Sequence, residues 1–332
     1  MAIIGKDIQE AIRLLNANEV IGLPTETVYG LAGNAFSAEA VTKIFEVKNR
    51  PTFDPLIVHT SSIERMSDFV REIPLKAQLL IEKFMPGPLT LLLPKKENIS
   101  DLVTSGLETV AVRIPNHHLA LELLQNLDFP LAAPSANPFG YISPTSAQHV
   151  DNQLGKKIKY ILDGGECGIG IESSIIGFTG DEIIVYRKGG LTIEEIEKVV
   201  GKVQIQEHST SNPKAPGMLK SHYAPRTQLR VFSSEFRVEN RTVIHSELQV
   251  EPFKIQHSSF LGFKDFNPNI PRENQMILSP TGDLREAAQN LFAYMRALDA
   301  RGFDLIYTEL LPEIDLGRAI NDRIRRAATL ED

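Results

Sequence analysis

Four short segments in the first half of the chain each set turn residues, cations or small hydroxyls against an apolar run. They are Pro24-Thr25-Glu26-Thr27-Val28-Tyr29-Gly30-Leu31, then Lys48-Asn49-Arg50-Pro51 with Pro55-Leu56-Ile57-Val58-His59, then Val112-Arg113-Ile114-Pro115, and Ala133-Pro134-Ser135-Ala136-Asn137. Such segments form the loops at strand ends, where α/β proteins bind ligands. The fold must therefore be one whose sheet delivers these loops to a common place. Their cations and small polar groups together read as a pocket for an anionic ligand such as a nucleotide phosphate.

The pattern between the segments agrees. Asp7 to Asn18 carries Ile8, Ala11, Ile12 and Leu15 on one helical face, with Asp7 placed to cap it. Helices are also predicted at 38–47, 75–85, 117–126, 145–152 and 192–200. Strands are predicted at 20–23, 56–59, 89–93, 109–114, 131–133, 158–162, 173–178 and 182–187. Alternating strands and helices give an α/β sheet covered by helices, and the crowding of the later strands predicts that part of it is antiparallel. The pattern lapses near 203–226, in a stretch rich in Pro, Gly, Ser and Asn. Strands are then predicted at 229–232, 242–245, 275–278 and 303–307. Helices are predicted at 283–300, whose stripe includes Leu284, Ala287, Leu291 and Met295, and at 316–328. The expected organisation is a catalytic α/β domain over 1–206, a linker or lid over 207–226, and a smaller α/β domain over 227–332.

Composition narrows the function classes. The chain has 332 residues, a net charge of −7 and one cysteine, Cys167. One cysteine excludes an internal disulfide and any multi-cysteine metal cluster. An acidic balance is unusual for a protein that lives by phosphate-backbone contacts. No run approaches the ~18 apolar residues of a membrane span, and no signal peptide is apparent, so a cytoplasmic setting is expected.

No P-loop, zinc-protease or Cys-x-x-Cys motif occurs, and Ser135 sits in no nucleophile elbow. Gly168-Ile169-Gly170 is half of a dinucleotide fingerprint, without the third glycine. Lys48 and Arg50 flank a helix end, where cations are usually solvated, yet the following proline and strand would aim both at one place. On a strand over 109–114, Thr109, Ala111 and Arg113 share a face, so Arg113 meets either solvent or a polar cleft. Arg187 repeats that pattern beside Val185 and Ile183. Ser135 and Asn137 read as a turn or as a loop that a ligand approaches closely. A lone histidine such as His59 is more often structural, and Asp54 could bind a metal or merely shape its turn. The sum is an anion pocket with cations, hydroxyls and an amide but no activated nucleophile. That suits phosphoryl or nucleotidyl transfer by positioning and charge.

The four segments, in this order, together with Pro86-Gly87-Pro88-Leu89-Thr90, Glu172-Ser173-Ser174-Ile175-Ile176 and Arg187-Lys188-Gly189, resemble those of the YrdC-like threonylcarbamoyl-AMP synthases. Ala215-Pro216-Gly217-Met218, Ser221-His222-Tyr223-Ala224-Pro225 and Gly282-Asp283-Leu284-Arg285 extend the resemblance to the long, two-domain members. The resemblance implies a twisted mixed sheet flanked by helices plus a smaller, Rossmann-like C-terminal α/β domain. It implies a nucleotidyltransferase in which N-carboxylated threonine attacks the α-phosphate of ATP, releasing pyrophosphate. Lys48, Arg50, Ser135 and Asn137 would be catalytic. Thr27, His59, Arg113, Ala133 and Ser173 would hold threonine. Arg50, Asp54, Thr109, Ser135, Ser143 and Arg187 would hold the nucleotide, with Tyr223 closing from the linker. Mg2+ would travel with ATP, mainly on its phosphates. The expected partners are ATP, L-threonine, bicarbonate and a downstream tRNA threonylcarbamoyl transferase, with transient tRNA contact and no membrane. Asp54 departs from the asparagine of many relatives, since a carboxylate near phosphates repels them unless it helps hold the metal. The alternative reading is a double-stranded-RNA-binding or ribosome-maturation module. A carbamoyl-phosphate-handling maturation domain would need cysteines and segments that this chain lacks.

Overall fold

A computed structural model describes residues 1–206, 213–218, 222–231 and 257–328. These residues divide into two compact units, Met1–Phe139 with Ser143–Lys220, and Gly140–Ile142 with Ser221–Asp332. The division thus falls inside the expected linker, and a three-residue piece that follows the Ser135–Asn137 loop counts with the second unit.

The first unit is built on one mixed sheet. Its strands in chain order are β1 (Ile3–Gly5), β2 (Ile21–Leu23), β3 (Gly30–Asn34), β4 (Ile57–His59), β5 (Leu89–Pro94), β6 (Thr109–Arg113), β7 (Leu131–Ala132), β8 (Tyr160–Leu162), β9 (Ser174–Thr179), β10 (Glu182–Arg187) and β11 (Gln204–Ile205). In space they run β1-β8-β2-β3-β7-β4-β6-β5-β9-β10-β11. The late pair β9 and β10 is antiparallel as expected. Antiparallel pairing also reaches the early strands, where β3 runs against both β2 and β7. Sequence patterning did not single out β3, because its Gly-Leu-Ala-Gly-Asn run lacks the branched and aromatic residues that mark strands. At Gly30 an added Cβ would lie a tight 3.1 Å from the Ala133 Cβ of the neighbouring segment.

The predicted helices form with the expected chemistry. Asp7 caps Ile8–Asn16 by accepting from the backbone N–H groups of Gln9 and Glu10. Thr192 and Glu195 close a capping box on Ile193–Val200. Strand alternation then sorts the central side chains. Leu89, Leu91, Leu93, Val58, Val110, Val112 and Ile176 enter the main core under the helices. The residues between them, His59, Thr90, Ala111 and Arg113, are buried on the opposite face, which is the face that carries the candidate site.

The second unit holds a four-stranded parallel sheet ordered β12 (Gln228–Val231), β15 (Leu305–Thr308), β13 (Ser258–Gly262) and β14 (Gln275–Ile277). The helix Leu284–Asp299, capped by Asp283, buries Ala287, Ala288, Leu291, Met295 and Leu298 as its stripe predicts. The strand predicted at 242–245 lies outside the described residues. β13, whose Ser-Ser start disguised it, is an addition to the sequence reading.

Leu91 is fully buried on the core face of the first sheet. Leu91→Ala should therefore lower the unfolding free energy by about 3–4 kcal/mol. Urea titration of the variant checks this, and a loss below about 1 kcal/mol would contradict the core assignment.

Candidate active site

Parallel pairing of β4 with β6 sets His59 beside Arg113. Arg113 is 3% exposed, and its guanidinium is distributed over three neighbours. Nε donates to the Gly87 carbonyl (3.2 Å) and Nη1 to Thr27 Oγ1 (2.8 Å). Nη2 lies 2.7 Å from Glu26 Oε1. Thr27 Oγ1 also shares a hydrogen bond of 2.8 Å with Thr25 Oγ1, which locks the start of the Pro24–Leu31 segment. Burial first, and then the Arg113 charge, pull the His59 pKa down to about 3, so its ring is neutral. His59 Nδ1 is buried with no hydrogen-bond partner.

A second group forms where β5, β9 and β10 adjoin. Thr90 Oγ1 shares a hydrogen bond of 2.7 Å with Ser173 Oγ. Arg187 donates through Nε to the Ser173 carbonyl (2.9 Å) and through Nη2 to Ser173 Oγ (3.0 Å). A bulge between Val185 and Arg187 sets Arg187 opposite Ile175, and this re-aims the side chain at the Ser173 loop. The residues expected to hold threonine and those expected to hold nucleotide are therefore bonded to one another here.

The third group gathers the catalytic candidates. Lys48 ends its helix, and its Nζ donates to the carbonyls of Ser135 and Asn137, each at 2.5 Å. Lys48 thus fixes the shape of the Ser135–Asn137 loop. Burial, reinforced by Arg50, holds its ammonium well below the ordinary lysine pKa. Arg50 donates to the Asp54 and Pro55 carbonyls, lies 2.8 Å from Asp54 Oδ2, and sits over the Phe139 ring at 5.9 Å. Asp54 is fully buried. Its charge is met by Arg50, which gives the unexpected carboxylate a role that requires no metal. Asn137 is fully buried, and Ser135 is partly open. Ser143 donates to Glu172 (2.6 Å). Ala133 is buried and its N–H donates to the Ile57 carbonyl.

Thr109 and Arg113 occupy one face at opposite ends of β6. Four residue steps along the strand separate them by roughly 13 Å. Between them Ala111 packs with Ile57, Leu92, Ile175, Ala215 and Met218. The stretch 213–218 therefore covers this face in part, and the Gly217 N–H points at Asp54 Oδ1 from 3.5 Å. Tyr223 belongs to the second unit. Its ring is buried against Phe292 (5.4 Å) and beneath the guanidinium groups of Arg323 (5.3 Å) and Arg326 (4.8 Å), with φ at 67°.

Sequence reasoning gave no role to Glu26, Thr90 or Glu172. Thr90 was detectable as a lone hydroxyl inside the apolar run Leu89–Leu93. Glu26 and Glu172 carried no signal beyond their place in the motifs. The Cys167 thiol is buried and pushed far up by that burial, so it supplies no thiolate.

Comparisons with known proteins place the chain in a family. Residues 13–189 match the Sua5/YciO/YrdC family, described as "Telomere recombination". Residues 191–329 match "Threonylcarbamoyl-AMP synthase, C-terminal domain". Threonylcarbamoyl-AMP synthases of Pyrococcus abyssi and Bacillus subtilis are 40% and 38% identical to this chain, over 97% of it and over 94% and 92% of their own lengths. The crystal structure of P. abyssi Sua5 complexed with L-threonine superposes with a TM-score of 0.86 at 37% identity, covering 98% of each chain. Escherichia coli YciO shares the fold of the first unit, at 21% identity and a TM-score of 0.52.

The neutral, buried His59 carries a testable consequence. An unfolded histidine titrates near pH 6.5 while the folded one stays unprotonated, so the unfolded chain binds the extra proton on acidification. Stability should fall by about 1 kcal/mol between pH 6.5 and 5.5 and continue downward towards pH 3. His59→Asn should remove that component. Urea midpoints across this range measure the slope, and an identical slope in the variant would mean that His59 titrates normally.

Proposed function

This chain belongs to the Sua5/YciO/YrdC family in its two-domain form, and we propose that it makes L-threonylcarbamoyl-AMP. The substrates are L-threonine, bicarbonate or CO2, and ATP. In the first half-reaction the threonine ammonium group and bicarbonate give an N-carboxylate, water and a proton. In the second, that carboxylate attacks the α-phosphate of ATP, the α–β phosphoanhydride bond breaks, and pyrophosphate leaves.

The observation that carries the reading is the buried arginine at the end of β6, flanked by Thr27 and a neutral His59. An arginine fork suits a carboxylate, and the hydroxyl and imidazole suit threonine's hydroxyl side chain. Arg50 and Arg187 supply positive charge for the nucleotide, and Lys48 holds the loop that presents Ser135 and Asn137. Attack is direct, because the described residues of the site offer cations and hydroxyls but no activated nucleophile. Mg2+ would accompany ATP and be held mainly by its phosphates. Asp54, the carboxylate nearest that role, is paired with Arg50, and among the described residues no cluster of three or more His, Cys, Asp or Glu could hold a metal.

The product is a mixed anhydride, so water exclusion has value. The apolar cover that Ala215 and Met218 place on the site face serves that end. A partner transferase that moves the threonylcarbamoyl group to tRNA is the class of reaction that consumes such a product, in the cytoplasm where tRNA is. No helix among the described residues is long and apolar enough to cross a membrane. The RNA-binding alternative is not favoured, because Lys48, Arg50, Arg113 and Arg187 are buried and bonded within the protein.

Pyrophosphate release should require threonine and bicarbonate together, and undiminished release without threonine would refute the assignment. Arg113→Ala should weaken threonine binding by about 1.5–3 kcal/mol and ATP binding less. Arg187→Ala should do the reverse. Calorimetric titration of both ligands separates the two, and equal losses would contradict the division of the site.

A further inference from the structure

The least satisfied charge in the site is Glu26. Its Oε1 lies 2.7 Å from Arg113 Nη2. Yet both Glu26 carboxylate oxygens are buried with no hydrogen-bond donor aligned on them. The backbone around it is fixed: the Glu26 carbonyl accepts from the Ile169 N–H (2.8 Å), and the neighbouring Thr25 and Thr27 hydroxyls are bonded to each other. A carboxylate has about four lone-pair directions to fill. Leaving them empty out of water is costly. Glu26 is also the more open end of the pair, with its side chain 13% exposed against 4% for Arg113.

We propose that Glu26 is the counter-ion for the ammonium group of the amino-acid substrate, so that Arg113 and Glu26 together form a holder for a zwitterion. The proposal rests on the threonine reading of the site. The neighbouring carboxylates are committed elsewhere, Asp54 to Arg50 and Glu172 to Ser143.

Charge balance supplies the argument. Without substrate, Arg113 and Glu26 neutralise each other. A zwitterion brings one positive and one negative charge on adjacent groups of the same carbon. Its carboxylate takes donors of the Arg113 fork, and its ammonium takes the empty lone pairs of Glu26. One internal ion pair is exchanged for two across the binding surface, and the net charge of the buried region does not change. An α-hydroxy acid of the same shape is different. It brings an anion to Arg113 and leaves Glu26 beside it with no compensating cation, which is the situation buried sites tolerate least. Glu26 therefore selects α-amino acids over their hydroxy analogues. It also places the nitrogen that must be carboxylated at a fixed distance from Arg113.

The test is calorimetric titration of the full chain and of Glu26→Gln with two ligands, L-threonine and 2,3-dihydroxybutanoate, in which a hydroxyl replaces the ammonium. The wild type should prefer threonine. In Glu26→Gln that preference should fall at least tenfold, because threonine binds more weakly while the hydroxy acid binds equally well or tighter. A purely structural Glu26 would weaken both ligands in proportion and leave the ratio unmoved, which would overturn the proposal. So would tighter binding of both ligands, which would make Glu26 a mere competitor for Arg113. If Glu26→Gln fails to fold, Glu26→Asp decides: it keeps the charge but withdraws it by one methylene, so the preference should again fall, and an unchanged preference overturns the proposal. A wild type that binds neither ligand would sink the threonine reading itself, whereas threonine binding with an unmoved ratio sinks only the role of Glu26.

Discussion

Burying basic side chains on one face of a sheet is the constraint from which the rest of this site follows. Lys48, Arg50, Arg113 and Arg187 are each nine-tenths or more removed from water. A buried cation without partners is costly by several kcal/mol, so each must be satisfied by its surroundings. The chain does this in two ways. Arg50 and Arg113 face carboxylates, Asp54 and Glu26. Lys48 and Arg187 face backbone carbonyls, and in each case the carbonyls belong to a loop of the site. The cations therefore act as the internal scaffold of the loops. That use explains why the loops can be irregular, small and glycine-rich yet well placed. Their conformations are fixed by hydrogen bonds to side chains rooted on a helix end and on strands.

Much of this was legible in the sequence, and the reasons are local. Alternation along β6 put Val110 and Val112 on one face and Thr109, Ala111 and Arg113 on the other, and the structure keeps that division. The helix cap at Asp7 was readable because side-chain capping is a short-range rule. Four of the described strands escaped, the short β1 and β11 at the sheet's edges and the interior β3 and β13, whose sequences do not resemble strands. Gly30–Asn34 and Ser258–Gly262 are held by their neighbours on both sides, and that information is tertiary. The charge state of the pocket escaped for the same reason. Sequence showed an excess of cations in the motifs, whereas the structure shows that Asp54 and Glu26 balance two of them. Which carboxylate meets which arginine depends on strand order and could not be read from spacing. Asp54 illustrates the point: in the sequence it is a carboxylate set against phosphates, and in the fold it is the ion-pair partner of Arg50, four residues before it.

The ion pairs also set the terms on which ligands enter. A site lined by free arginines would bind any small anion well and discriminate poorly, because a bare positive field rewards charge rather than shape. Pairing Arg50 and Arg113 each with a carboxylate lowers that general attraction. A ligand must then bring both the anion that replaces the carboxylate and something that satisfies the carboxylate it displaces. An amino-acid zwitterion meets this requirement by itself at Arg113. ATP does not, since it is strongly anionic, and at Arg50 a nucleotide that takes the place of Asp54 would have to bring its own compensating cation. The two halves of the site would then share one design, in which a neutral protein pair accepts a ligand that carries its own compensating charge. The sheet geometry supports this division, because Thr109 and Arg113 put the two ends of β6 about 13 Å apart. Thr109, expected to meet the nucleotide, and Arg113, expected to meet threonine, thus stand on the same face with the apolar cover over Ala111 between them.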